Sequence, residues 1–492
     1  MRNSVQLVTY ADRLGGTLPG LRAILEGPLA GLFGGVHILP FFPPYDGADA
    51  GFDPEDHTSV DPRLGSWEDM KGIGDSLETV VDVIVNHVSA NAPQFRDYLR
   101  YGKDSSYADM FLTLSTVFPD GATEEELLAL YRPRPGLPFT PFTVASTDRR
   151  LIWTTFSSQQ IDIDVHSTKA RGYLTSVLER LSDSGVAMIR LDAVGYAVKT
   201  PGTSSFMTAQ TFEFIDDLTM QARSLGLEVL VEVHSHYRQQ IEVGRRVDWV
   251  YDFALPPLIL NSLRSGKAAA LLRWLEIRPR NAITVLDTHD GIGVIDVGAD
   301  STDKSLAGLL GPEDIDQLVD SIHANSDGTS RRATGAAASN VDLYQVNCTF
   351  YDALARDDQR YLLARLLQLF TPGIPQIYYV GLLAGSNDME LLERTGVGRD
   401  VNRHHYTDTE LREALDRPVV QSLMRLIRFR NSHPAFGGEF SSSGEPSTLT
   451  LAWRLDDDQA VLWADLAAGT YSLTYSCDGE TRSTGDVGDL PY

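Results

Sequence analysis

The sequence predicts an α/β fold: a closed (β/α)8 TIM barrel with two inserted subdomains and a small C-terminal antiparallel β domain. Eight short runs of apolar, often β-branched residues alternate along the chain with longer amphipathic segments. Several of these runs end in charged or histidine side chains, as is typical of the carboxyl face of such a barrel. A doubly wound open sheet is the alternative architecture.

The predicted strands are short, as buried parallel strands usually are. In chain order they are "VQLVTY" at 5–10, "GVHILP" at 35–40, "VVDVIVNH" at 80–87, "VAMIRLD" at 186–192, "LEVLVEVH" at 227–234, "VDWVYDF" at 247–253, "AITVLDTHD" at 282–290 and "GIPQIYYV" at 373–380. Helices are predicted between several of them, at 167–181, 206–225 and 361–370.

Two gaps between the predicted strands are too long for ordinary βα loops. About 100 residues separate the third and fourth strands, and about 80 separate the seventh and eighth, whereas most such loops have only a few residues. We therefore assign the barrel to residues 1–85, 167–290 and 356–435, and the inserted subdomains to residues 86–166 and 291–355.

The two insertions differ in composition. The first contains "YRPRPGLPFTPF", whose prolines and arginines predict an ordered, extended loop. The second contains "HANSDGTSRRATGAAASN", which is rich in Gly, Ser and Ala and predicts a mobile segment. Residues 436–492 then show short alternating runs such as "TLTLAWRL" and "TYSLTYSC", which predict the C-terminal β domain.

Composition excludes several classes of partner. The formal net charge of −25 predicts a surface that repels phosphate backbones and anionic headgroups, so neither nucleic acid nor a membrane is an expected partner. No apolar run reaches the roughly 18 residues of a membrane span, and the N-terminus lacks the apolar core of a signal peptide. Cys348 and Cys477 make no metal-binding spacing and suit a reducing compartment. These features predict a cytoplasmic protein.

Polar side chains close four of the predicted strands. They are Asp82, Asn86 and His87 on the third strand, Arg190 and Asp192 on the fourth, Glu232 and His234 on the fifth, and Asp287, His289 and Asp290 on the seventh. Because the carboxyl ends of barrel strands surround one opening, these groups are expected to share a small cavity. Any one of them has a structural reading, as a helix cap or a satisfied core histidine. Chance is a poor explanation for four strands that all end this way.

The carboxylates point to retaining glycosyl transfer. That reaction needs a nucleophile, an acid/base group, and a third carboxylate that orients the sugar as positive charge develops on its ring. Arg190 lies on the same strand face as Asp192 and is expected to hold Asp192 ionised, as a nucleophile must be. The apolar run before Glu232 favours a neutral carboxyl group that can donate a proton.

Four short motifs resemble, in order and spacing, those of the α-amylase superfamily of glycoside hydrolases. They are "DVIVNH" at 82–87, "IRLDAVGY" at 189–196, "VEVH" at 231–234 and "VLDTHD" at 285–290. Longer stretches such as "VQLVTYADRLG", "YDFALPPL" and "VDLYQVNCTFYDAL" are similar to the sucrose phosphorylases within that superfamily, over roughly residues 4–435. The resemblance implies a retaining enzyme that passes glucose from sucrose to phosphate through a covalent β-glucosyl-enzyme. It also implies small-molecule substrates and no cofactor, and it leaves a homodimer open.

The same resemblance assigns roles residue by residue. It implies Asp192 as nucleophile, Glu232 as general acid/base and Asp290 as transition-state stabiliser. On the glucose side it implies His87, Arg190 and His289 as sugar contacts, Asp49 and Arg399 as the pair closing the far end, Phe52 and Phe156 as aromatic walls, and Gln160 as a further binding residue. On the acceptor side it implies Arg134, His234 and Tyr344 for phosphate, with Asp342 and Gln345 as alternating contacts to fructose.

Departures from the family pattern are small. Val341 stands where leucine is expected, beside the acceptor contacts. Asn86 matches a calcium ligand of amylases, but the sucrose phosphorylases lack that site, so no metal is expected. Related phosphorylases acting on glucosylglycerol, glucosylglycerate or sucrose 6'-phosphate remain alternatives, as does a sucrose hydrolase; the "DLYQ" run at 342–345 favours unphosphorylated sucrose. An amylase acting on long glucans and a non-catalytic amylase-like barrel are more distant alternatives.

Overall fold

The computed structural model describes residues 1–45, 47, 50–133, 136–300, 303, 305–334 and 345–491. The strands are β1 (Gln6–Thr9), β2 (Gly35–Ile38), β3 (Glu78–Ile84), β4 (His87–Ser89), β5 (Phe139–Val144), β6 (Asp148–Trp153), β7 (Gln160–Asp162), β8 (Met188–Asp192), β9 (Glu228–Val231), β10 (Trp249–Asp252), β11 (Ala282–Thr284), β12 (Ile292–Gly293), β13 (Gln345–Val346), β14 (Ile374–Tyr378), β15 (Glu439–Gly444), β16 (Thr448–Leu455), β17 (Asp458–Asp465), β18 (Thr470–Cys477) and β19 (Glu480–Thr484).

The α-helices are α1 (Leu18–Glu26), α2 (Trp67–Gly74), α3 (Pro93–Tyr101), α4 (Leu114–Val117), α5 (Glu124–Ala129), α6 (Thr168–Asp183), α7 (Ala209–Ser224), α8 (Tyr237–Gly244), α9 (Leu255–Ser265), α10 (Ala269–Ile277), α11 (Pro312–Asn325), α12 (Thr329–Thr334), α13 (Phe350–Ala353), α14 (Asp358–Phe370), α15 (Tyr379–Leu382), α16 (Met389–Thr395), α17 (Asp408–Leu415) and α18 (Pro418–Ser432). Single 3₁₀ turns follow β8, at Val194–Tyr196, and β12, at Ile295–Val297.

Eight parallel strands close into a barrel in the order β1-β14-β11-β10-β9-β8-β3-β2. Seven of them fall within predicted apolar runs, and β3 begins two residues before its run, so the barrel prediction is confirmed and the open-sheet alternative is wrong. The strands end earlier than the apolar pattern suggests: β9 ends at Val231 and β11 at Thr284. Because the ladder stops there, Glu232 and residues 287–290 lie on the loops above the barrel rather than within its strands.

Alternation along β8 separates the barrel interior from its helical coat. Met188 is buried with Val80, Leu230 and Ile283 in a cluster built from neighbouring barrel strands, whereas Ile189 and Leu191 belong to the large outer cluster shared with the helices. Arg190 and Asp192 therefore face the same side as Met188, toward the barrel axis. The predicted helices are present as α6, α7 and α14. Ser167 caps the N-terminus of α6, since its side chain accepts a hydrogen bond from the Ala170 N–H.

The first insertion leaves and rejoins the barrel through one short antiparallel pair. β4 pairs with β7 so that His87 lies opposite Asp162, and a second hairpin, β5 with β6, forms the outer part of this subdomain. Arg134 lies outside the described residues. The pairing brings the start and end of the insertion together directly beside the carboxyl ends of β3 and β8.

The second insertion is more ordered than its composition suggests. Most of residues 323–334 is helical, at the end of α11 and in α12, where the prediction was a mobile loop. The side chains of His323, Ser326 and Ser330 hydrogen-bond to one another, and Ala333 is fully buried, so polar and small residues pack here instead of remaining solvated. Residues 335–344 lie outside the described part of the chain.

The C-terminal β domain is a five-stranded antiparallel sheet in the order β15-β16-β17-β18-β19. It contacts the barrel through an indole hydrogen bond, donated from Trp453 Nε1 to the carbonyl of Phe370 at 2.7 Å, and through edge-on packing of Tyr475 against Phe429. Among the described residues, no helix is both long and apolar enough to cross a membrane.

Candidate active site

The fourth barrel strand, β8, delivers a linked charge pair to the barrel opening. Arg190 Nη1 donates to Asp192 Oδ1 at 2.7 Å and to Asp82 Oδ1 on β3 at 2.6 Å. The pairing of β3 with β8 places Asp82 directly opposite Arg190, which explains the contact. Ala193 then adopts a left-handed conformation, with φ of 54°, and turns the chain away immediately after Asp192.

Burial and Arg190 act on the pKa of Asp192 in opposite directions. Loss of water contact raises the pKa of Asp192 to about 8, with Glu232 and Asp82 adding to the rise and Arg190 opposing it. The sequence predicts that Arg190 keeps this carboxylate ionised, and that role stays a prediction. Arg190 Nη1 contacts two carboxylates, Asp192 Oδ1 at 2.7 Å and Asp82 Oδ1 at 2.6 Å, so its charge is shared between them.

Asp82 serves as a counter-ion beneath the cavity. Its Oδ2 lies 2.9 Å from His37 Nε2 on β2, and it is fully buried. Although burial alone would raise the pKa of Asp82, His37 and Arg190 lower it to about 2. Asp82 is therefore a permanent anion that anchors Arg190. This role could not be predicted from the sequence, because His37 lies on a different strand.

The fifth strand, β9, leads to Glu232 and His234. His234 Nε2 lies 3.6 Å from Glu232 Oε1, and His234 Nδ1 lies 3.0 Å from Asp296 Oδ2. The imidazole stacks on Phe253 with ring centroids 3.9 Å apart. Burial alone would lower the pKa of His234, but Asp296 and Glu232 raise it to about 9. His234 is therefore an imidazolium at neutral pH.

The loop after the seventh strand, β11, contributes a neutral histidine and a strongly held carboxylate. Asp290 Oδ1 lies 2.6 Å from Arg399 Nη1 and 3.8 Å from Arg403 Nη2. Burial opposes these cations, yet they hold the pKa of Asp290 well below its usual range. Burial and the nearby arginines keep the pKa of His289 well below its usual value, and the neutral ring stacks on Phe52 at 4.7 Å.

The first insertion supplies another wall. His87 Nε2 lies 3.0 Å from the carbonyl oxygen of Phe52, and Gln160 Nε2 donates to the same oxygen at 3.2 Å. Phe156 packs edge-on against His87 with centroids 5.5 Å apart. These contacts fix a histidine, an amide and two aromatic rings around one side of the opening.

Behind this wall, a buried lysine joins three segments. Lys199 Nζ lies 2.6 Å from Asp162 Oδ2 and donates to Asn86 Oδ1 at 2.8 Å and to the Tyr196 carbonyl. Asn86 is the residue that matches a calcium ligand of amylases, and its side-chain oxygen contacts an ammonium group here. Lys199 thus connects the start of the first insertion, its end and the turn after β8.

Most of the predicted site residues surround one cavity, with an empty volume of about 710 Å³ that includes space open to solvent. Its lining contains Phe52, His87, Phe156, Gln160, Asp192, Glu232, His234, His289, Asp290 and Arg399. Arg190 lies beneath Asp192, and Gln345 lies outside the lining, with its amide oxygen accepting from the Gly291 N–H at 3.1 Å. Asp49, Arg134, Asp342 and Tyr344 fall outside the described residues.

Sequence reasoning missed several residues around the cavity. Ala193, Gly195, Tyr196, Phe206 and Val233 also line it. A Cβ atom on Gly195 would lie 2.8 Å from Phe206 Cε2, so glycine is needed there for Phe206 to pack over the turn. The glycine three residues after Asp192 was a usable signal, but its partner Phe206 lies across a loop and has no local pattern.

Three groups lie close enough to be considered as metal ligands. Single ligand atoms of Glu232, His234 and Asp290 lie within 4.8 Å of one another. A cation would have to compete with the imidazolium of His234 and with Arg399, which already neutralises Asp290. The donor set therefore fits a metal poorly, and the absence of a metal stays a prediction.

A parallel barrel with these carboxylates at its carboxyl opening defines a glycosyl-transferring enzyme of the α-amylase type. The family model for the alpha amylase catalytic domain matches residues 31–244. A sucrose phosphorylase of Agrobacterium vitis is 59% identical over 478 residues, covering 97% of this chain and 98% of the relative. A sucrose phosphorylase of Bifidobacterium adolescentis is 55% identical, covering 94% of this chain and 92% of the relative. The chain belongs to the sucrose phosphorylase family.

A solved structure agrees over the whole length. The crystal structure of sucrose 6F-phosphate phosphorylase from Thermoanaerobacter thermosaccharolyticum is 39% identical, covers 98% of both chains and superposes with a TM-score of 0.89. The inserted subdomains and the C-terminal sheet are therefore part of a shared architecture.

Proposed function

We propose that this chain is a sucrose phosphorylase, which converts sucrose and phosphate into α-glucose 1-phosphate and fructose by double displacement. The observation that carries the proposal is the joint presence of Asp192, Glu232 and Asp290 around one cavity that also holds the cationic His234. Three carboxylates suit glucosyl transfer, and a buried cation beside them suits an anionic acceptor.

In the first half-reaction, the deprotonated form of Asp192 attacks the anomeric carbon of the glucosyl unit. A bond forms between an Asp192 oxygen and that carbon while the glycosidic bond to fructose breaks. Glu232 donates its proton to the departing fructose oxygen, and Asp290 faces the positive charge that develops on the ring. Fructose leaves, and the glucosyl unit stays attached to Asp192.

In the second half-reaction, a phosphate oxygen attacks the same carbon from the face that fructose left. The ester bond to Asp192 breaks, and Glu232 takes the proton of the attacking phosphate hydroxyl group, which restores the acid for the next turnover. His234 is proposed to bind this phosphate, with Arg134 and Tyr344 as further contacts. The exchange of Asp342 and Arg134, which lets fructose and phosphate use the same space in turn, remains part of the proposal.

On the glucose side, Asp49 and Arg399 are proposed to close the site behind one sugar unit. The contact between Arg399 and Asp290 supports a position of Arg399 at the edge of the cavity. A closed end leaves no room for a glucan chain. Incubation with soluble starch is therefore expected to release no reducing sugar.

The proposal is tested by incubating the protein with sucrose in the presence and absence of phosphate, and measuring glucose 1-phosphate, fructose and free glucose. Glucose 1-phosphate should form only with phosphate, in equal amount to fructose. Equal release of free glucose in both reactions would instead identify a hydrolase. A faster reaction with sucrose 6'-phosphate than with sucrose would favour the phosphorylated substrate.

The cellular setting and oligomeric state are also proposals. In the described residues Cys348 and Cys477 are both free thiols, which supports the predicted cytoplasmic location. A homodimer would elute with a mass of about twice 54.2 kDa, and light scattering on the purified protein distinguishes it from a monomer.

A further inference from the structure

We propose that Asp296 is a positioning residue that orients the His234 imidazole toward the acceptor side of the cavity and thereby favours phosphate over water. The inference rests on the proposed function and deepens it, because it names a residue in the second insertion that selects the acceptor. Asp296 does not line the cavity and is expected to act only through His234.

Asp296 is completely buried, and both oxygens of its carboxylate bond to the segment that runs from His234 into α8. Its Oδ2 lies 3.0 Å from His234 Nδ1. Its Oδ1 accepts from the Ser235 N–H at 3.1 Å and from Gln240 Nε2 at 3.0 Å. One carboxylate from the second insertion therefore fixes both the ring and the backbone of the segment that carries His234.

Gly293 supplies independent evidence that the chain is shaped around this contact. A Cβ atom at Gly293 would lie 2.4 Å from Asp296 Oδ2 and 3.3 Å from His234 Nδ1. The φ angle of Gly293 is not in the left-handed region, so its backbone conformation does not require glycine. Glycine is required there because a Cβ atom would occupy the space that Asp296 and His234 need.

The groups facing His234 favour its charged form. Asp296 approaches from the 3₁₀ turn at Ile295–Val297, Glu232 from the same segment as His234, and Asp290 from the loop after β11, while Phe253 covers one ring face. These three carboxylates outweigh burial and raise the pKa of His234 to about 9. With Nδ1 held by Asp296, the second proton resides on Nε2, the edge that faces Glu232 and the cavity.

This arrangement discriminates between the two acceptors of the glucosyl-enzyme. Phosphate carries one or two negative charges near neutral pH, and an imidazolium N–H offers it a charge-assisted hydrogen bond. Water gains little from the same donor. Loss of Asp296 should therefore weaken phosphate binding while leaving glucosyl transfer from sucrose to Asp192 intact.

The test is Asp296→Asn, which keeps the shape of the side chain and removes its charge. The KM for phosphate should rise about tenfold or more, and the rise should grow as the pH is increased from about 6 to 8. The hydrolysis of sucrose without phosphate should stay within about twofold of the wild-type rate. The matched control is Asp303→Asn, an exposed residue of the same insertion whose carboxylate accepts hydrogen bonds from the N–H and the hydroxyl group of Ser305. In this variant the KM for phosphate and the rate of hydrolysis should both be unchanged.

Two further measurements distinguish positioning from general damage. The double variant His234→Ala with Asp296→Asn should have the same KM for phosphate as His234→Ala alone, because Asp296 acts only through that ring. If the Asp296→Asn variant does not fold, Gly293→Ala provides a second test. Its added Cβ atom should push Asp296 and His234 apart and raise the KM for phosphate in the same way. An unchanged KM for phosphate, or equal losses of phosphorolysis and hydrolysis, would overturn the inference.

Failure of the inference differs visibly from failure of the proposed function. If the wild-type protein makes no glucose 1-phosphate, the proposed function is wrong. The role of Asp296 is then still measured by NMR titration of His234, whose pKa should fall in Asp296→Asn and stay unchanged in Asp303→Asn. A His234 pKa that does not move would contradict the inference without reference to any activity.

Discussion

At the scale of single residues, the carboxyl groups around the cavity differ in pKa because each has different neighbours. Arg190 and His37 lower the pKa of Asp82, and Arg399 and Arg403 lower that of Asp290. Asp192 shares Arg190 and lies beside Glu232, so burial prevails and raises its pKa. Groups of one chemical type thus acquire different roles because they differ in burial and in the number of cations they contact.

The nucleophile is tested by Asp192→Asn. An amide cannot form the glucosyl ester, so kcat should fall by at least about 10⁴-fold. Turnover measured as fructose release from sucrose checks this, and near-wild-type activity would contradict the covalent mechanism. Circular dichroism of the variant serves as the control for folding.

The same substitution should stabilise the fold. The pKa of Asp192 is about 8 in the folded protein, above its ordinary value, so the folded state keeps a proton that the unfolded chain releases. The contribution of Asp192 to stability therefore falls as the pH rises from about 4 to 8, whereas asparagine does not titrate. At pH 8 Asp192→Asn should be more stable by at least about 1 kcal/mol, since one pKa unit corresponds to about 1.4 kcal/mol.

Thermal melting of both proteins at several pH values measures this difference. The advantage of Asp192→Asn should grow with pH and level off above about 8. The control is Glu179→Gln, an exposed position on α6 with the same change in charge. A difference independent of pH would show that burial of Asp192 carries no such cost.

At the scale of elements, buried polar contacts fasten the insertions to the barrel. The pairing of β4 with β7 closes the first insertion, and Lys199 joins that pair to the turn after β8. In the second insertion, β12 pairs with β13 and leads into the turn that carries Asp296. Both insertions are therefore held at the points where they deliver side chains to the cavity.

Replacement of the buried cation should destabilise the first of these junctions. In Lys199→Met the Asp162 carboxylate keeps its hydrogen bonds from Thr155 but loses its counter-charge. Unfolding by urea should show a loss of about 3 kcal/mol or more, the usual cost of breaking a buried ion pair from one side. Adding Asp162→Asn to that variant should restore part of the loss, and a double variant less stable than the single one would contradict this account.

At the scale of the whole molecule, the barrel and the C-terminal sheet bury surface against each other. Trp453 contacts the end of α14, and Tyr475 packs against Phe429 of α18. These two helices lie between the barrel strands and the sheet, so each has apolar residues on more than one side. We expect the two parts to unfold together.

A chain ending at residue 435 tests this coupling. It exposes the apolar side of α18, including Phe429, so the truncated protein should be insoluble or should bind a hydrophobic dye without a cooperative melting transition. The full-length chain should show one transition. A truncated barrel that melts cooperatively would show that the C-terminal sheet is dispensable for folding.

Much of the fold could be predicted because its signals are local. The eight strands are apolar runs of a few residues, and the long gaps between them mark the insertions. The segment predicted to be mobile, residues 323–340, is instead mostly helical over its described part, because Asn347 and Asn387, far along the chain, hydrogen-bond to Ala333 and Thr329 of α12. The residue at which each strand ends could not be predicted either, since the hydrogen bonds of a strand depend on its neighbouring strand.

The sequence by itself determined the barrel, the identity of its strands, and the three carboxylates that lie at their carboxyl ends. It could do so because strand alternation and motif order are properties of short segments. Only the tertiary structure decided the electrostatics. Asp296 approaches His234 from the second insertion, Arg190 contacts both Asp82 and Asp192, and Arg399 neutralises Asp290. Those effects depend on burial and on distances between segments far apart in the chain, which no local pattern specifies.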